Sequence, residues 1–223
     1  MKLTEISRAE ASRYMGVRGE PDAAVTALLD RFEPVVRERM RPAYVYRELR
    51  TEEREEGIVL PDVGLTLTGE DVRRHLSGCG RVVMLAATLS AEADKLIRQS
   101  QVEGMAEAMA VDALCSAAIE QVCDRAEEEI FSAIDAPYRT WRFSPGYGDL
   151  PIGSQRDFLN ALNAQRRIGL TVTARCLLIP SKSVTALIGI SDTVPENKGK
   201  KGCAGCDLRE SCAFSKLGGC GKK

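Results

Sequence analysis

A chain of 223 residues with 31 basic and 32 acidic side chains, 44% hydrophobic overall, has the make-up of a soluble globular protein with one sizeable core and room for an appendage. The near balance of charge gives no global field that would draw in nucleic acid or an anionic membrane. The start, "MKLTEISRAE", lacks the apolar stretch of a secretory signal, and the longest apolar run, "VVMLAATL" at 82–89, is too short to span a bilayer, so a soluble, cytoplasmic protein is expected.

The first 40 residues read as helical. "DAAVTALLDRFEPVVRERM" sets Val25, Leu28, Leu29 and Phe32 on one face, with Asp22 placed to cap it. From Tyr44 the pattern turns to short β-rich pieces, "YVYREL", "GIVL" and "GLTLTG", punctuated by Gly57, Pro61, Gly64 and Gly69, which predicts a small antiparallel meander. "RVVMLAATLS" reads as a buried strand ending at Ser90, a suitable cap for the helix to follow. Residues 91–134 are the longest helical stretch, broken near Gly104. Ala106, Ala110, Ala113, Ala117 and Ala118 let its second part approach neighbours closely, as a central helix does. Asp112 and Glu120 lie about two turns apart on it, on similar faces.

"GSQRDFLNALNAQRRIGL" predicts an amphipathic helix from Ser154 to Gly169, and "LTVTARCLLIP" and "SVTALIGIS" two strands joined by "PSKS". The expected organisation is a body over 1–191, a polar linker over 192–202 and a cysteine-rich tail over 203–223. The fold class is α+β, with a mixed or antiparallel sheet, a long central helix and flanking helices.

Two segments carry chemistry. The tail, "CAGCDLRESCAFSKLGGC", places Cys203, Cys206, Cys212 and Cys220 with two, five and seven residues between them, which suits tetrahedral zinc or an iron–sulfur cluster. The uneven spacing is unlike paired zinc knuckles and tilts towards iron–sulfur. Cys79, Cys115, Cys123 and Cys176 sit in apolar segments and read as small packing residues. The one histidine, His75, removes most histidine-based catalysis and reads as a surface helix residue. The second segment is "RFSPGYGDLPIGSQ", 142–155. Pro145–Gly146 favours a type II turn whose exposed backbone groups can read a heterocycle, Arg142 offers a fork for a carboxylate, and Tyr147 offers a stacking face. A zwitterionic aromatic ligand would suit that set; a merely structural turn is the alternative.

"RFSPGYGDLPIGSQ" resembles the R-x-x-P-G-Y signature of the activation domain of cobalamin-dependent methionine synthase. "VDALCSAAIEQVCD", "RRIGLTVT" and "PSKSVTALIGIS" resemble that family's central helix, a helix-to-strand corner and paired final strands, in the same order. "RYMGVRG" and "VVMLAATLS" are similar to its free-standing members. The resemblance implies that the loop binds S-adenosylmethionine, with Arg142 holding the carboxylate and Ser144, Pro145, Gly146 and Tyr147 forming the adenosine-contacting turn. It also puts Asp112 in register with an acid of the central helix, and Ser116 where the larger enzyme has a glutamate, a loss that Glu120 would make good.

The implied function is reductive reactivation of a corrinoid methyltransferase, a methionine synthase lacking its own activation domain or another corrinoid protein. Cobalamin is supplied by that partner, and an electron donor is needed; a cluster in the tail would relay the electron. A non-catalytic adaptor that binds zinc and docks such a partner is the alternative.

Overall fold

The computed structural model describes residues 1–194. The Cys203, Cys206, Cys212 and Cys220 tail and most of the expected linker therefore lie outside the described residues. In chain order the elements are α1 (Arg8–Tyr14), α2 (Ala23–Arg39), β1 (Ala43–Arg50), β2 (Glu52–Arg54), β3 (Gly57–Leu60), β4 (Leu65–Leu67), α3 (Glu70–Leu76), β5 (Arg81–Thr88), α4 (Ala91–Glu103), α5 (Met105–Ala133), β6 (Tyr138–Arg139), α6 (Gln155–Leu162), α7 (Ala164–Ile168), β7 (Thr171–Val172), β8 (Leu178–Ile179) and β9 (Ser183–Ser191). One sheet has the order β1-β5-β9-β6, a second β2-β3-β4, and a third pairs β7 with β8. The α+β expectation holds. No helix among the described residues is long and apolar enough to cross a membrane.

The described residues divide into two compact units, one formed by Met1–Tyr46, Leu85–Ile134 and Phe158–Thr185, the other by Arg47–Met84, Asp135–Asp157 and the described residues from Ala186 on. In the first, α5 is the organising helix. Ala110, Ala113, Ala117 and Ala118 are all buried along it, and α1, α2 and α4 pack against it. Leu29, Phe32, Val36, Leu96, Leu114 and Val122 close the core, and truncating Leu114 to alanine would cost about 2–5 kcal/mol.

The caps are as the sequence suggests. The Asp22 carboxylate accepts from the Val25 amide at 2.8 Å. Ser90 caps α4 through the Glu92 amide at 3.4 Å, and does so at φ +73°, a backbone cost that Thr88 Oγ1 helps to meet by accepting from the Ser90 amide.

In the second unit β2, β3 and β4 form an antiparallel meander, with Glu53 opposite Ile58 and Ile58 opposite Leu67. "GIVL" and "GLTLTG" supply two of its strands as expected, but "YVYREL" lies in β1 of the four-stranded sheet and its place is taken by β2. Two further expectations fail. The helix predicted from Ser154 to Gly169 breaks at Asn163, whose φ of +51° interrupts it between α6 and α7. "LTVTARCLLIP" folds back on itself, Thr171 pairing with Ile179 and Val172 with Leu178, with Cys176 in the bend at φ +62°. Cys79, Cys115 and Cys123 are buried, and burial pushes the Cys79 thiol up to about 11 and that of Cys115 up to about 12.

Candidate functional site

The 142–155 segment grows out of a sheet edge. β6 runs antiparallel to β9 with Tyr138 opposite Ser191 and Arg139 opposite Ile190. Thr140 continues the ladder by donating its amide to the Gly189 carbonyl at 3.0 Å. The next pair is Phe143 with Leu187. From Arg139 to Phe143 the chain takes four steps while β9 takes three, so one extra residue is accommodated at Trp141–Arg142 opposite Ile188. This is a β-bulge, and it takes Arg142 out of the regular alternation of the strand. The arginine is thus presented by an irregularity of the sheet rather than by a flexible loop.

Beyond Phe143 the backbone bonds to itself. The Tyr147 amide donates to the Ser144 carbonyl at 2.9 Å, closing a four-residue turn with Gly146 at φ +91°, the value a type II turn needs at that place. The Gly146 amide donates to the Leu150 carbonyl at 2.9 Å, and the Leu150 amide returns a bond to the Tyr147 carbonyl at 3.1 Å. Pro145 and Leu150 are buried beneath the turn, while Tyr147 keeps 55% of its surface exposed. The amides of Gly146 and Tyr147 are therefore committed inside the turn and cannot serve as the exposed donors expected from the sequence. The Ser144 and Tyr147 carbonyls each accept one bond within the turn and keep a second lone pair, and the exposed side chain of the turn is Tyr147.

His75 is not the surface residue that its sequence context suggests. Its ring lies 4.6 Å from that of Trp141, edge-on, and 4.8 Å from that of Phe143 at an angle of 28°. Nε2 is 2.8 Å from Thr140 Oγ1, which also accepts from the Gly189 amide at 2.8 Å. Burial lowers the imidazole pKa to about 4, against a smaller upward pull from a hydrogen bond to the Trp141 backbone, so the ring is neutral near pH 7. The Trp141 indole nitrogen is buried without a hydrogen-bond partner among the described residues. Phe143 in turn meets the Tyr147 ring edge-on at 6.1 Å. His75, Trp141, Phe143 and Tyr147 form one aromatic chain running under the loop.

Arg142, Ser144, Pro145, Gly146 and Tyr147 are thus brought together. Asp112 and Glu120 stand on α5, in the other compact unit. Asp112 is paired with Lys182, Nζ to Oδ1 at 2.9 Å, and the same ammonium donates to Ser116 Oγ at 2.9 Å. Ser116 Oγ donates in turn to the Asp112 carbonyl. A cation therefore occupies the neighbourhood in which the resemblance implies a glutamate. Glu120 lies one turn on, and its charge adds to burial in raising the Tyr14 phenol above its ordinary pKa.

Sequence reasoning missed Lys182, whose only signal was its place in "PSKS", and the structural use of His75. Among the described residues no cluster of three or more histidine, cysteine or acidic side chains is placed to hold a metal.

Known proteins supply the context. The family model for the vitamin B12 dependent methionine synthase activation domain matches residues 81–195, more than half of the chain. No curated protein matches. Among solved structures, the crystal structure of the MetH reactivation domain bound to AdoHcy superposes with a TM-score of 0.62 at 14% identity, covering 87% of this chain and 78% of that one, a likeness of fold. The R-x-x-P-G-Y loop, its bulge and the whole of α5 fall inside the matched span. The chain belongs to the family of vitamin B12 dependent methionine synthase activation domains.

Proposed function

We propose that this chain binds S-adenosylmethionine at the 142–147 loop and presents its methyl group to reduced cobalamin carried by a corrinoid partner, a methionine synthase without an activation domain of its own. The observation that carries this reading is the self-bonded Ser144–Tyr147 turn set directly after the bulge at Arg142, within the span matched by the family model. The structural neighbour's AdoHcy is what remains of S-adenosylmethionine after methyl loss, which supports the same ligand class.

Each group has a role that its chemistry allows. The Arg142 fork holds the methionine carboxylate. The exposed Tyr147 ring stacks on adenine. The Ser144 and Tyr147 carbonyls accept from the adenine amino group, with Pro145 and Gly146 fixing their direction. The resemblance assigns the negative charge that a sulfonium favours to Asp112 and to Glu120, two turns further along α5. Reduced cobalamin supplies the nucleophile, so the chain needs no general base, in keeping with a single histidine that is neutral and enclosed. The protein's contribution is to orient the methyl donor and to exclude water.

The four tail cysteines, Cys203, Cys206, Cys212 and Cys220, bind an iron–sulfur cluster that relays the electron for reduction, and the body, linker and tail act as separate segments. Iron and acid-labile sulfide in anaerobically purified protein test the relay; zinc in their place ends it.

Calorimetric titration with S-adenosylmethionine, beside Arg142→Ala, tests the ligand site. Loss of one charge-assisted bond of about 1.5–3 kcal/mol weakens binding by roughly 10- to 150-fold. Lys182 beside Ser116 is the observation that favours a second reading, a docking adaptor that no longer holds the ligand. Absence of binding by the wild type, even with the corrinoid partner present, would establish that reading instead.

A further inference from the structure

We propose that α3 is a splint for the ligand loop, with Asp149, Asp71 and His75 as positioning residues; this rests on the reading of the loop as the S-adenosylmethionine site. The helix grips the loop segment at both of its ends. At its N-terminus, α3 has no cap of its own: Gly69 precedes it and offers no side chain. The loop supplies the cap. Asp149 accepts from the Glu70 amide at 2.6 Å through one carboxylate oxygen and from the Asp71 amide at 3.0 Å through the other. Asp71 answers by accepting from the Asp149 amide at 3.2 Å. The exchange is reciprocal, as in a capping box, but joins segments 78 residues apart in sequence.

Two glycines make the approach possible. Gly69 at φ +128° and Gly148 at φ +52° both hold backbone angles that side chains rarely adopt. A Cβ on Gly69 would strike the Asp149 carboxylate, and one on Gly148 would strike that of Asp71. The contact is thus built from the backbone outwards and not made by chance between two surface acids.

At the far end of α3, His75 holds the entry to the loop through Thr140 Oγ1 and through its packing on Trp141 and Phe143. Between the two grips lie Arg142 and the Ser144–Tyr147 turn. Free rotation of either end would move the arginine relative to the stacking ring, and a displacement of about 1 Å is enough to lose much of the benefit of preorganisation. None of the three residues need touch the ligand; each acts through the loop.

The test uses the whole chain and two readouts. Trp141 is the only tryptophan, so its emission reports on the cluster directly. Wild type, Asp149→Ala, Asp149→Asn, His75→Ala and Arg142→Ala are titrated with S-adenosylmethionine at a temperature well below unfolding. Asp149→Ala should raise the dissociation constant about tenfold, and Asp149→Asn, which keeps one acceptor oxygen and so one of the two amide bonds, should fall between it and the wild type. His75→Ala should weaken binding and shift Trp141 emission to the red. Asp71→Ala, which removes the acceptor for the Asp149 amide, replaces Asp149→Ala if that variant does not fold, with weakening in the same direction expected.

A purely structural role would lower the melting temperature and leave affinity at low temperature unchanged. If the wild type binds, Arg142→Ala does not, and the Asp149 and His75 variants bind like the wild type, the splint is overturned while the ligand site stands. If the wild type does not bind, the ligand reading fails and the splint falls with it.

Discussion

Gly189→Ala tests the packing beneath the loop with a single added methyl group. Gly189 lies in β9, its amide donating to Thr140 Oγ1 and its carbonyl accepting from the Thr140 amide. A Cβ built there would sit 2.6 Å from Cys79 Sγ, 2.9 Å from Leu76 Cδ2 and 3.2 Å from Thr140 Cγ2, where ordinary contact begins at about 3.5 Å. Three neighbours must move at once. Leu76 and Cys79 are buried and have little room in which to do so. Overpacking of this kind costs about 1–3 kcal/mol. The alanine recovers about 0.5–1 kcal/mol by restricting the unfolded chain. The net loss is therefore about 0–2.5 kcal/mol, centred near 1 kcal/mol, which moves a urea midpoint down by roughly 0.5 M.

Cys79→Ala removes the nearest obstacle, so in the Gly189→Ala background it should cost less than it does alone, with a coupling of about 1 kcal/mol. Trp141 emission should shift as well, because Thr140 is both the displaced neighbour and the partner of His75. Gly189→Ala with an unchanged midpoint and strictly additive effects would show that the approach of β9 to α3 is looser than described.

The remaining predictions concern the loop and its surroundings. His75 binds its proton near pH 4 when folded and near 6.5 when unfolded, so the unfolded chain takes the proton first; stability is constant above pH 6.5 and falls by about 3 kcal/mol as the pH drops to 4. His75→Gln should remove that component from the pH dependence of urea unfolding, and parallel profiles for the two proteins would contradict the enclosed, neutral ring. Gly146→Ala places a side chain at φ +91° with its Cβ 3.1 Å from Ile152 Cδ1, and should cost about 1–2 kcal/mol by denaturant unfolding while weakening S-adenosylmethionine. Lys182→Met loses an ion pair to a half-exposed carboxylate, worth under about 1 kcal/mol, so urea unfolding should shift by less than about 0.5 M, and a larger shift would show a stronger pair.

What could be read in the sequence was what local patterns encode. α2, α4, α5 and β5 followed from periodicity, with Asp22 and Ser90 marking the starts of α2 and α4, and the Pro145–Gly146 turn from the φ that only glycine adopts cheaply. Asn163 defeated the pattern because asparagine tolerates the left-handed region without announcing a break. The bulge at Trp141–Arg142 depends on the register of β9, nearly 50 residues on, and no local signal carries it. His75 was misread for a similar reason: on "GEDVRRHLSG" alone it has a polar context, and the rings that enclose it come from Trp141 and Phe143.

The chemistry of the loop follows from where its hydrogen bonds go. A turn whose amides faced outward would bind anions and carbonyl acceptors; this one spends the Gly146 and Tyr147 amides on Leu150 and Ser144 and is left with acceptors and an aromatic face. Positive charge at the site then comes from the Arg142 guanidinium, held by a bulge in the sheet. A ligand matched to these features carries one anionic group, one planar ring and an amino donor on that ring. Nucleotides with polyphosphate tails meet the second and third conditions but bring several negative charges to a single arginine, whereas an amino-acid nucleoside brings one carboxylate. Under the proposed reading, the division of polar groups within fourteen residues therefore matches the class of ligand before any catalytic group is considered.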